Sequence, residues 1–175
     1  MTQKRFTSAM ELCRELQIKL KPASYALLHP ELTPEAYFER LLEKGHLPEA
    51  RRVLAHAMPR QRALWWACLC VWHAHQGDPP VRLAAILDAL LNFLADPSDE
   101  RRRRLQALAR RMKASSLEAA LAHAAFFSGG SVSKPGLPAV QPRPFVTGRL
   151  VGVVVYLAAV KRHPAQYKKL LRHYL

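Results

Sequence analysis

The chain has 175 residues, of which half are hydrophobic and 23% charged. That composition suits one folded domain with a real core and excludes wholesale disorder. Its formal net charge is +14, so the expected partner carries negative charge.

The pattern along the chain is helical throughout. Ser8 is placed to cap a first helix running to about Leu20, with Leu12, Leu16 and Leu20 on one face and Pro22 just past its end. Thr33-Pro34-Glu35 supplies a cap, a proline at the first helical position and an acid in the first turn. This second helix is expected to stop at Gly45. Pro48 opens a third, with Val53, Leu54 and Ala57 as its apolar face, ending near Pro59. Residues 60–76 form a fourth, apolar nearly all round, which places it in the middle of the core.

Asp78-Pro79 is expected to cap a fifth helix carrying Leu83, Ile86, Leu87, Leu90, Leu91 and Leu94 at core spacing. Asp96-Pro97 caps a sixth, the basic helix at 97–113, and Ser115 or Ser116 a seventh that ends at Phe126-Phe127-Ser128-Gly129-Gly130. Residues 129–147 then lose all periodicity and contain Pro135, Pro138, Pro142 and Pro144. This segment reads as a proline-rich strap. Leu137, Val140 and Phe145 are available to bury it, while its polyproline character would also suit a partner groove. Thr147 is expected to cap an eighth helix to about Arg162, and Pro164 separates a short last one. The expected fold is a single all-α domain over 1–175, a compact orthogonal bundle of about eight to nine helices with one extended crossover.

Charge is unevenly distributed. Residues 96–113 carry seven basic and three acidic side chains, and residues 148–175 carry six basic and no acidic ones. On the sixth helix Leu105, Leu108 and Met112 mark the buried stripe, which leaves Arg103, Gln106, Arg110 and Lys113 on the outer face. Together with Lys161, Arg162, Lys168, Lys169 and Arg172 of the basic C-terminal helices, Arg103, Arg110 and Lys113 are the candidate partner-binding residues. An acidic protein surface is the first expectation and nucleic acid the alternative. No base-reading pattern or interleaved aromatic platform accompanies the arginines, and a solvated charged face explains the same residues.

Catalytic and metal chemistry find little material. Cys68, Cys70, His73 and His75 are the best metal candidates, but residues two apart on a helix point about 200° apart, so all four cannot converge. Two buried thiols and two histidines near a helix end explain them as well. Three cysteines make a disulfide framework unlike this chain, and reduced thiols are expected. Ser128-Gly129-Gly130-Ser131 follows a helix rather than a strand and lacks the lysine-serine ending of a phosphate loop. No cofactor motif, paired carboxylate or nucleophile constellation is found. Trp65, Trp66 and Trp72 are expected mainly in the core, with at least one reaching the surface. Met1 to Lys21 lacks a signal-peptide core, and the run Leu150 to Val160 is too short to span a bilayer, so a cytoplasmic protein is expected.

Gly45-His46-Leu47-Pro48-Glu49-Ala50, Leu54-Ala55-His56-Ala57-Met58-Pro59-Arg60 and Ala63-Leu64-Trp65-Trp66-Ala67-Cys68 resemble a bacterial domain family of unassigned function. Phe126 to Ser131, Pro135-Gly136-Leu137-Pro138 and Thr147-Gly148-Arg149 extend the resemblance, over about residues 35–160. It implies an accessory or adaptor protein associated with the gene neighbourhoods of type VI secretion systems. It brings no catalytic or binding residues to carry over.

Overall fold

The computed structural model describes residues 6–175, and within them the protein is all helical. The helices are α1 (Ala9–Glu15), α2 (Pro22–Tyr25), α3 (Pro34–Glu43), α4 (Leu47–Ala57), α5 (Arg60–Ala74), α6 (Val81–Ala95), α7 (Asp99–Ala109), α8 (Leu117–Phe126), α9 (Val146–Arg162) and α10 (Tyr167–Tyr174), with a short 3-10 turn before α10.

Four of the starts carry a side-chain cap, three of them the one expected of the sequence. Ser8, Thr33, Ser98 and Ser116 each accept a hydrogen bond from the backbone N–H three residues on. Ser98, not Asp96, therefore caps the basic helix. Two other expected caps are corrected. Helix α6 begins at Val81 behind Pro80, with no side-chain cap, because Pro79-Pro80 holds the chain extended past Asp78. Helix α9 begins one residue before Thr147, which is buried in its first turn.

The first helix stops at Glu15 rather than near Leu20. Gln17 takes φ +51°, and the Ile18 N–H reaches the Cys13 carbonyl at 2.9 Å. That is a Schellman closure with a glutamine in the left-handed position. The chain then starts the four-residue α2 at Pro22, an element the leucine spacing does not announce. Gly45 closes α3 in the expected way, at φ +73° with the His46 N–H on the Leu41 carbonyl.

The packed centre is α9, not α5. Helix α9 lies against α4, α5, α8 and α10, and buries Val151, Val154, Val155, Ala158 and Ala159. A smaller cluster of Leu12, Ile18, Leu28, Tyr37, Leu41 and Val53 joins α1 and α3 to α4. Leu42 and Leu175 pack against both clusters. Full burial of each such Leu, Ile or Val is worth about 1.5–3 kcal/mol. Helix α5 keeps one face in solvent: Trp65, Leu69 and Trp72 are each about half exposed. Trp65 and Trp72 thus reach the surface, as expected of at least one tryptophan, and the expected core placement fails for both. Trp66 is partly buried and its Nε1–H donates to the Tyr174 carbonyl at 2.9 Å, which ties α10 down.

Candidate functional site

The four consecutive arginines of α7 are not one solvated row. Asp99, in the first helical turn, accepts from both Arg102 and Arg103, the latter Nε at 2.6 Å. Those two hydrogen bonds hold the Asp99 carboxyl below its usual range. Arg101 pairs with Asp96 at 2.8 Å and donates to the Asn92 carbonyl. Arg102 is buried, which the apolar stripe gives no hint of, and its guanidinium lies over the Phe126 ring. Arg104 alone of the four is exposed.

Arg102 organises the strap. Its guanidinium donates to the Phe126 and Ser131 carbonyls, each at 2.7 Å. Ser131 Oγ accepts from the Ser133 and Val140 N–H groups, and the Val132 N–H donates to the Val140 carbonyl at 2.8 Å. Residues 132–140 are thus a closed loop anchored at Ser131. Beyond that anchor the strap does not pack as expected: Leu137 is 61% and Val140 53% exposed. The hydrogen-bonded anchor replaces apolar burial, and only Phe145 joins a hydrophobic cluster.

The anchored loop and α7 enclose a groove of about 230 Å³ lined by Arg103, Gln106 and Arg110 on one side and Ser133, Lys134 and Pro135 on the other. Arg110 and Lys134 are exposed, Arg103 is partly buried, and no carboxylate lines the groove. Lys134 was not singled out by sequence, because its approach to α7 depends on the Arg102 anchor. Lys113 is exposed just beyond α7.

The remaining predicted cations lie at the end of α9 and on α10. Lys161, Lys168, Lys169 and Arg172 are exposed there, and Arg172 Nη2 donates to the Leu42 carbonyl at 3.1 Å. Arg162 is partly buried, with Nη1 enclosed and unpartnered. His73 stacks near His173 and meets the Tyr174 hydroxyl at 3.1 Å.

Cys68 and Cys70 are buried, and burial pushes both thiols up to about 12. Among the described residues no three His, Cys, Asp or Glu side chains gather as a metal site would require. No helix of the described residues is long and apolar enough to cross a membrane.

Residues 37–175 match the model of a family of unknown function (DUF6931). No curated protein and no solved structure matches the chain.

Proposed function

The chain belongs to that family of unknown function, DUF6931, and, with no assigned activity to inherit from it, we propose a non-enzymatic helical adaptor that docks an acidic protein surface. The observation that carries this reading is the α7–strap groove, where Arg103, Arg110 and Lys134 from two separate chain segments line one concavity without a carboxylate. Complementary charge across such a surface speeds encounter and selects partners. Lys113, exposed three residues past Arg110, adds to the docking charge in this reading, and Lys161, Arg162, Lys168, Lys169 and Arg172 are its further contacts. A bacterial, cytoplasmic setting and a type VI secretion component as the partner belong to the same proposal, on the strength of the sequence resemblance.

Affinity capture from the native cell, with and without nuclease, tests it. Wild type should retain a protein partner after nuclease treatment, and Arg110→Glu/Lys113→Glu/Lys134→Glu should lose it while keeping its helicity. Capture unchanged by the three reversals overturns the reading. Loss of everything on nuclease treatment replaces it with nucleic-acid binding, whose affinity would fall steeply with salt.

A further inference from the structure

A second cationic concavity lies away from that face. It sits between α4, the turn after α1 and the first turns of α9, with a volume of about 300 Å³. Lys19, Arg51, Arg52 and Arg149 line it together with His56, and no carboxylate does. The nearby Glu49 is buried and turned to Arg52, at 3.1 Å. Gly148 and Gly152 leave the α9 side of the wall without side chains, and Ile18 and Val153 supply apolar surface.

Arg51 is the informative residue. It is only 8% exposed. Its Nη1 donates to the Gly152 carbonyl and its guanidinium lies over the Tyr156 ring, 5.2 Å from the centroid. Those contacts pin α4 to α9 and account for one end of the fork. Its Nε–H is buried and has no partner. An unmet buried donor on a charged group is costly, by about 1–3 kcal/mol or more, and a negative charge in the pocket that Arg51 lines would offset that cost electrostatically. The rest of the wall suits the same ligand. The first turn of α9 has no side-chain cap on its N–H groups, and the positive end of a 17-residue helix favours negative charge. Arg149, stacked on Phe145 at 4.5 Å, stands at that helix start.

Two features select among anions. Four cations, of which among the described residues only Arg52 is paired with a carboxylate, that of Glu49, match a phosphate, with a charge of about −1.5 to −2 at neutral pH, better than a singly charged carboxylate. The pocket is larger than a bare phosphate needs, and Ile18 and Val153 offer apolar contact to the rest of a ligand.

We propose that this pocket binds the phosphate group of a small phosphomonoester, through Arg51, Arg52, Arg149 and Lys19, with the organic body against Ile18 and Val153. The site is independent of the docking groove, so either reading can fail without the other. Calorimetric titration of the full chain with inorganic phosphate, glycerol 3-phosphate and acetate at an ionic strength of about 50 mM tests it. Both phosphates should bind saturably at one site, the ester more tightly, and acetate far more weakly. Lys19→Gln/Arg149→Gln, checked for an unchanged thermal melt, should weaken the ester about tenfold or more, because two charge-assisted contacts are lost. Arg110→Gln/Lys113→Gln should change it less than about twofold, being remote charges screened by salt. Absent saturable binding by wild type, acetate bound as tightly as phosphate, refusal of the ester, or equal weakening by both double variants would each overturn the assignment.

Discussion

The Arg102 guanidinium donates to the Ser131 carbonyl at 2.7 Å, and by that bond α7 holds the strap. The same guanidinium leaves no room on the strap backbone. A Cβ on Gly130 would stand 2.9 Å from Arg102 Nε, at a backbone φ of +66° that side chains disfavour.

Two substitutions at this contact should therefore behave alike on the strap and differently on the bundle. Arg102→Met removes the donor from the Phe126 and Ser131 carbonyls and should cost about 2–4 kcal/mol of stability. Gly130→Ala disturbs the strap side only and should cost about 1–2 kcal/mol. In both, proteinase K should cut within residues 132–141 faster than in wild type. Denaturant melts and timed digests check the two magnitudes and the shared site of cutting.

The α4–α9 crossing offers a sharper contrast between neighbouring glycines. A Cβ on Gly148 would come within 2.7 Å of the His56 ring and 3.0 Å of the Ala55 carbonyl oxygen, which is backbone and cannot step aside. Gly148→Ala should destabilise by about 2–3 kcal/mol. A Cβ on Gly152 would meet nothing nearer than the Ala55 Cβ at 3.8 Å, an ordinary contact. Gly152→Ala should be neutral or stabilising by up to about 1 kcal/mol through helix propensity. Urea melts of the pair decide whether the crossing is as tight as this geometry requires.

Acid should weaken the fold earlier than carboxylate titration alone would. Burial, foremost, and the Arg149 charge push His56 below the usual imidazole value of 6.5, against the opposing effect of its contacts to the Arg52 and Phe145 carbonyls. His73, His75 and His123 are shifted the same way. Each takes up its proton more readily in the unfolded chain. Stability is thus full above about pH 6.5 and falls as pH drops below it, toward the folded-state values. The melting temperature should decline from pH 7 to pH 5, and His56→Gln should flatten that slope whatever its effect at pH 7.

The local chemistry of this fold was largely legible in the sequence, while the long-range arrangement was not. Ser8, Thr33, Ser116 and Gly45 act as their types and positions suggest, because capping depends on a few neighbouring atoms. Leu105 and Leu108 mark the inner side of α7 as their spacing requires, while Met112 packs on the same cluster from beyond the helix, which ends at Ala109 and not near Lys113. The reading failed where a distant segment decides. Arg102 looks like one of four solvent cations until Phe126 and Ser131 are brought to it. Nothing in the sequence singles out Arg51, whose burial depends on the carbonyl of Gly152, 101 positions away. The apolar run of α5 suggested a place in the middle of the core, yet the bundle packs around α9, which meets α4, α5, α8 and α10. The groove and the pocket are both products of such distant pairings, so neither has a compact motif.

The cysteines close on a prediction that separates burial from redox chemistry. Cys13, Cys68 and Cys70 are free and buried. Burial raises the Cys13 thiol to about 11 and the other two to about 12. The thiolate is the reactive form, and at neutral pH these groups supply almost none of it. A redox sensor or metal ligand would require the opposite shift. In native protein, Ellman's reagent should therefore label none of the three within minutes, and in denaturant it should label all three at once. Because Cys13 lies in the cluster joining α1 and α3 to α4, and Cys68 and Cys70 in the larger one around α9, partial denaturation gives a further reading. Labelling of Cys13 ahead of the other two would show that the N-terminal cluster opens first, whereas simultaneous labelling would show that the two clusters unfold together.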